Sequence, residues 1–559
     1  MFNFYILKFY NWFDVVTTLM IVDSSNFSKS IFRENFYNLD FFFNIELFLS
    51  ILPECLVLYF ILYSLINIFN AKKNSIIIYY RWIFIFVIIF ILLLFNFIAS
   101  FSFIHFNYSE NTNTNLTILL SQNFSTKILF GYTWINCFYT LFSKLVIIIL
   151  VLCVLIFSKF KIQNATSMSC SIELPLIIAF CVLFLFLLTS AYDFFVTYLA
   201  IEGLSLTLYS MAAILSQSII SVEASFKYFS LGAISSGILL FGISIIFGLI
   251  GCLDFLEIQL FLGGVYSTIY FFEIKISLIL ILFGFFFKIS AFPCHVWVAD
   301  VYEGIWTPIT AFFAVVIKIG LLLFFVRLLF NLLFNVLFFF QQILIFVAVG
   351  SMLVGSFGAI KQVRIKRFIA YASITQVGFI FLGLSSCSLI GLIASILYIF
   401  LYGTTTLIFF GIILNTENII TRRSMIYLSD LSSFLINNGE WSNYLILSIF
   451  SMAGLPPLGG FIGKFFLYFA GISANLDFAI ILSLIISVLS VYYYLSFARY
   501  IFFEKYRIIK LFFYKKNNLN NILIRILSSL LLFFVFYFVK VILFINSISV
   551  SCLWPLFWY

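Results

Sequence analysis

The chain has 559 residues, of which 64% are hydrophobic and only 9% charged, and its mean hydropathy is +1.20. Soluble domains carry roughly 45–50% apolar and about 25% charged residues, so most of this chain cannot face water. That excludes a string of soluble domains and predicts one all-α polytopic membrane body; the formal charge of +9 sits in linkers between apolar spans, where it marks topology rather than a nucleic-acid surface.

Residues 1–40 form a partly polar N-terminal extension that ends SSNFSKSIFRENFYNLD. It has neither the basic leader and small-residue cleavage site of a signal peptide nor the Arg-rich character of a transit peptide. A protein made and inserted inside its own compartment is expected. The 80 Phe residues, with abundant Ile, Asn, Tyr and Lys, all have A/T-rich codons and fit an A/T-rich organelle genome. Apolar windows then predict about fourteen transmembrane helices, each able to cross a hydrocarbon core of roughly 30 Å. Their centres lie near 60, 90, 148, 181, 205, 238, 284, 316, 345, 376, 400, 455, 487 and 533.

The linkers alternate in charge. AKKNSIIIYYR follows the first span, SKFKIQ the third, KQVRIKR the ninth, TRR the eleventh and EKYRIIKLFFYKK the thirteenth. Linkers after even-numbered spans, such as SENTNTN and SANLD, are nearly free of Lys and Arg. By the positive-inside rule both termini lie opposite the basic side.

No cofactor site is visible. Nine cysteines are scattered without a C-x-x-C pair, and His105 and His295 are the two histidines. Zinc, haem and iron–sulfur sites need clustered ligands. PLGGFIGKF is the nearest approach to a phosphate loop, but Leu458 stands where its first glycine belongs and Phe465 replaces the magnesium-binding Ser or Thr.

Charges inside the spans are the functional candidates. Glu202, Lys227, Lys288, Lys318 and Lys464 fall in predicted helices. Left unpaired at mid-bilayer, five such groups would cost on the order of 15 kcal/mol, so they must pair or line a hydrated track. Lys144 and Arg327, near predicted span ends, read as side chains that snorkel to an interface or form a simple structural ion pair. Lys288 lies five residues before Pro293, and His295 follows that proline. Proline interrupts a helix, and the freed carbonyls are tolerated in a membrane only where protein or trapped water satisfies them. SMAGLPPLGGFIGKFF supplies a second interruption, ahead of Lys464. Broken helices in two halves of a bundle are the pattern of transporters with inverted repeats.

At these residues the sequence resembles a known family. FKISAFPCHVWVADVYEGIWTPITAF is similar to the signature of NADH–ubiquinone oxidoreductase chain 2, the subunit N type of respiratory complex I. IKQVRIKRFIAYASITQVGFIFLGL, FSMAGLPPLGGFIGKFFLY, SVEASFKYFSLGAISSGILLFGIS and ILPECLVLYF extend the resemblance over roughly residues 48–505. DVYEG separates chain 2 from the sister antiporter-like chains 4 and 5, and chain 4 usually has glutamate where Lys464 stands. Cys294, Ala299, Ile305 and Trp306 depart from the pattern, and residues 1–40 have no counterpart in it.

The resemblance implies two inverted five-helix repeats with helices 7 and 12 broken. Helices 1–3 would occupy residues 41–170, the first repeat 171–331, the second repeat 332–506, and helix 14 with its tail 507–559. It assigns Glu202 and Lys227 as the paired charge of the first half-channel and Lys288 as the central proton carrier. His295 becomes a bridge beside the break, Lys318 a relay and Lys464 the residue at the far end. The chain would translocate protons while binding no cofactor; FMN, iron–sulfur clusters and ubiquinone would belong to other subunits. Its partners would be membrane-arm subunits, notably chain 4 and chain 4L, and lipids, in the mitochondrial inner membrane with basic loops in the matrix. Burial lowers a lysine's pKa and a nearby carboxylate raises it, so weakening a Glu202–Lys227 pair would free the carboxylate to act on Lys288. The rival readings are a stand-alone or Mrp-like secondary cation/proton antiporter subunit and a structural linker with vestigial channel residues.

Overall fold

The computed structural model describes residues 51–65, 75–109, 126–129, 133–163, 168–264, 271–418, 425–433, 439–503, 512–514, 518–536 and 538–553. The N-terminal extension and the basic linkers AKK, TRR and EKYRIIK lie outside the described residues. In chain order the helices are α1 (Ile51–Leu65), α2 (Ser75–Ser109), α3 (Phe138–Gln163), α4 (Met168–Ser190), α5 (Phe194–Ala212) and α6 (Ile219–Ile250). They continue with α7 (Phe255–Gly263), α8 (Phe271–Ile289), α9 (Val296–Gly304), α10 (Thr307–Leu332), α11 (Leu337–Ile360) and α12 (Ile365–Ser385). The last are α13 (Leu389–Leu414), α14 (Gly439–Ala453), α15 (Gly459–Ser473), α16 (Asp477–Phe502), α17 (Asn518–Phe536) and α18 (Phe538–Leu553).

Among the described residues ten helices are long and apolar enough to cross a membrane. The chain is therefore an all-α polytopic membrane protein. Of the predicted centres, those near 60, 284 and 533 lie in α1, α8 and α17, outside those ten, that near 455 falls in the gap between α14 and α15, and the others lie inside the ten. The hydropathy pattern did not anticipate the short α7 or two small antiparallel pairs. In the first pair β1 (Thr126–Leu129) faces β2 (Trp134–Cys137), and in the second β3 (Thr416–Asn418) faces β4 (Phe512–Tyr514). These lie in connections, where no long apolar run announces them.

Local chemistry sets many helix ends. Asp193 caps α5 by accepting the Phe195 amide at 2.9 Å, and Ser388 caps α13 through the Gly391 amide at 3.2 Å. Helices α10, α12 and α13 are almost wholly enclosed, whereas α2, α6 and α16 turn most of their surface outward. The outward residues include Phe84, Ile91, Phe226 and Phe241. They suit lipid tails as apolar as themselves.

Both breaks are built alike. Helix α8 ends with Ser290 in the left-handed region (φ 68°). The Ala291 amide bonds to the Phe286 carbonyl at 2.9 Å and the Ser290 amide to Phe287 at 3.1 Å, a Schellman motif. Helix α14 ends with Gly454 at φ 82°; there the Leu455 amide reaches Phe450 and the Gly454 amide reaches Ser451, each at 3.1 Å. Proline follows each motif and prevents the helix from continuing. The Trp297 indole also donates to the Phe287 carbonyl, at 3.1 Å, giving it a second partner at the first break.

After the second break α15 starts against α14 so closely that a Cβ on Gly460 would run into the Ser451 carbonyl. Gly460→Ala is therefore expected to disturb that junction. Overpacking of this kind costs about 1–3 kcal/mol, which a lowered unfolding temperature of the purified protein would report. An unchanged temperature would mean that α15 shifts freely.

Candidate functional site

The first break supplies the site's centre. Lys288, on the last turn of α8, is 6% exposed. Its Nζ and the nearby Ser290 Oγ are buried without a hydrogen-bond partner. Both line a small cavity with room for about one water molecule, shared with Tyr228 of α6, Trp297 and Tyr302 of α9, and Lys318 of α10. Lys318 follows a π-helical turn, Phe313–Ile317, and donates to Ser373 Oγ of α12 at 2.8 Å.

Helix α12 carries the polar line onward. One turn after Ser373, Gln376 Nε2 donates to the Met452 carbonyl and to Tyr494 OH, each at 3.1 Å, and Gln376 Oε1 accepts from Tyr398 OH. The neighbouring carbonyl, Ala453, accepts from Lys464 Nζ at 2.7 Å. Lys464 also lies 4.6 Å from the Phe379 ring centroid. Lys288, Lys318 and Lys464 thus sit along one buried line that runs through both breaks. Ser290, Ser373, Gln376, Tyr398 and Tyr494 belong to it, and sequence reasoning did not single them out. The signal was present in YASITQVG, where Ser373, Thr375 and Gln376 interrupt an otherwise apolar helix.

Glu202 and Lys227 do not form the expected pair. Lys227 meets Glu223 at 2.7 Å, one helical turn away, and Asp300 of α9 at 3.5 Å, and its side chain is half-exposed. Glu202 keeps one hydroxyl neighbour, Ser205 Oγ at 3.4 Å from Oε2, and its buried Oε1 has no hydrogen-bond partner. The carboxylate lies within electrostatic reach of Lys288. His295 stands beside the break but not on the cavity. Its ring stacks on Phe292 with centroids 5.9 Å apart.

Neither Lys144 nor Arg327 snorkels; for Lys144 the pairing alternative holds. Lys144 is enclosed and meets Glu54 at 2.5 Å. Arg327 is 1% exposed and donates to the Thr189 and Ala191 carbonyls at the end of α4. Three lysines act similarly: Lys464 at the end of α14, Lys366 on Ile305 at the end of α9, and Lys161 on Ile413 at the end of α13, the last at 3.4 Å. A cation at a helix C-terminus gains roughly 0.3–1 kcal/mol, and up to ~2 in partly buried geometry. Helix ends thus supply the partial negative charge that carboxylates do not.

The basic end of α12 is held by acids that load the end of α9. Arg364 and Arg367 pair with Glu303, and Arg367 also meets Asp300 at 3.1 Å. Each charge opposes its own helix dipole, so the two ends compensate one another and tie α9 to α12. At the other end of α6, Asp193 and Asp254 face each other across an antiparallel bridge. Burial raises both carboxyls, and the Asp193 charge adds to the rise at Asp254.

Residues 191–490 match the family described as NADH:quinone oxidoreductase/Mrp antiporter, transmembrane. The chain is 39% identical over 338 residues to NADH-quinone oxidoreductase subunit N 1 of Rhizobium meliloti, covering 60% of this chain and 69% of that protein. The chain belongs to this family. It is also 37% identical over 318 residues to NADH-ubiquinone oxidoreductase chain 2 of Marchantia polymorpha, covering 56% of this chain and 64% of the relative. The fold matches a chain of respiratory complex I from Thermus thermophilus with a TM-score of 0.69 at 21% identity, over 88% of this chain and 98% of that one. The resemblance carried by DVYEG and the two broken-helix motifs is borne out by these relatives. Lys288, Lys318, Ser373, Gln376 and Lys464 lie within the matched segment, and Tyr494 lies just beyond it.

Proposed function

We propose that this chain is the proton-translocating membrane-arm subunit of a respiratory NADH–quinone oxidoreductase, of the subunit N or chain 2 type. The observation that carries this is the buried line from Lys288 through Lys318, Ser373 and Gln376 to Lys464, in a chain whose kinship is with subunit N. Lys288 is the central carrier, Lys318 relays toward the second half and Lys464 ends the line. Glu202 biases Lys288 directly, and Lys227 acts with Glu223 and Asp300 at the basic end. His295 bridges toward the rim of the break.

Fourteen crossings arranged as two inverted five-helix repeats, residues 171–331 and 332–506, account for the like construction of the two breaks. Helices 1–3 and helix 14 flank them. FMN, iron–sulfur clusters and ubiquinone belong to other subunits. Chain 4 and chain 4L are its neighbours, and the mitochondrial inner membrane its location, with the basic loops in the matrix.

Purification in mild detergent tests the assignment. The chain is expected to migrate with flavin- and iron–sulfur-bearing subunits and with NADH–quinone reductase activity. Migration without any redox partner, together with cation/proton exchange in vesicles, would overturn it in favour of an Mrp-like antiporter.

A further inference from the structure

Glu54 and Lys144 lie outside the matched segment and touch none of the residues assigned to the proton line. Glu54 is on α1 and Lys144 on the second turn of α3. Their contact is 2.5 Å, with side-chain exposures of 4% and 0%. The same ammonium reaches Asn136 Oδ1 at 3.4 Å and lies 5.3 Å from the Trp134 ring centroid.

Helix α3 runs along α10, the helix of Lys318, and is fastened to it at both ends. Tyr139 OH donates to the Leu323 carbonyl at 2.6 Å. Lys161 Nζ donates to Thr307 Oγ1 at 3.2 Å. Tyr139 and Lys161 stand about 33 Å apart at 1.5 Å per residue, so the two fastenings span most of α10.

We propose that Glu54 and Lys144 form a fixed-charge lock that holds α3 in place as a brace along the Lys318 helix, with both groups ionised throughout turnover. A proton leaving Lys144 would strand a carboxylate in contact with it and away from water, which is the costly outcome for a buried pair. Lys288 has no such contact partner.

The test uses the whole complex and two readouts, the amount assembled and the protons moved per electron. The second rests on the proposed function; a Lys288→Met control in the same preparation separates failure of that reading from failure of the lock. Arginine keeps a cation but does not give up its proton, so Lys144→Arg is expected to assemble and pump at the wild-type ratio. A lowered ratio would make Lys144 a proton carrier and overturn the lock. Glu54→Gln and Lys144→Met, each alone, are expected to reduce assembled complex by about tenfold, and the double variant to recover to about half of wild type, since it strands no charge. Should the guanidinium prove too large to assemble, the double variant decides. Recovery at the wild-type ratio supports the lock. Recovery at a lower ratio, singles that assemble normally, or a double variant no better than the singles would each overturn it.

Discussion

Replacing Lys288 by methionine is expected to leave the complex assembled while proton translocation and coupled quinone reduction fall by about an order of magnitude or more, as when a positioned acid–base group is removed. Methionine retains much of the apolar stem and removes the titratable head. In the structure that head has no hydrogen-bond partner to strand, so the substitution breaks no hydrogen bond, and burying an uncharged side chain beside Phe286 and Phe287 favours the fold. The usual ambiguity of mutating a buried charge, lost stability against lost function, is therefore small at this position. Activity per assembled complex, compared with wild type in the same membranes, is the measurement. Normal activity would make Lys288 a structural residue.

The second large effect is expected at Lys464. Lys464→Met removes the donor that satisfies the Ala453 carbonyl and the cation that faces the end of α14. Both pumping and some stability are therefore expected to fall, the latter by about 1–2 kcal/mol. Lys464→Glu separates the two roles. A carboxylate titrates and supports partial proton transfer, but facing a helix C-terminus it is unfavourable when ionised. The expected result is lower thermal stability than in Lys464→Met together with higher pumping per assembled complex. Equal loss of pumping in both variants would mean that the ammonium's bond to Ala453, rather than its proton, is what Lys464 supplies.

The membrane body and its breaks were legible because each depends on a one-dimensional signal. Long apolar windows give the spans, and Pro293 and Pro456 with Pro457 give the interruptions. The identities of the three lysines on the line were legible too, since a charge inside such a window has few explanations. Partners were not. Glu202 and Lys227 lie on consecutive helices, and α5 does pack against α6. Even so, Glu223 one turn away and Asp300 across on α9 capture the Lys227 ammonium. Nothing in the spacing reveals which of three carboxylates a flexible lysine will choose. At Arg327 and Lys144 the snorkelling alternative failed for a different reason, while the pairing alternative holds at Lys144. Sequence position fixes distance along a helix but not whether the surrounding bundle leaves a route to the interface, and here α4 and α1 close it. The neutral members of the line, Ser373 and Gln376, carry no charge penalty and so raised no alarm in an apolar window.

The central claim is that protons cross through this chain by way of Lys288. Its most direct test is the number of protons moved per NADH oxidised, measured in sealed vesicles containing the assembled complex with and without Lys288→Met, using initial rates and matched electron flux. A lower ratio in the variant at equal flux, or pumping and electron flux lost together with assembly intact, is the predicted result. An unchanged ratio at unchanged flux would contradict it.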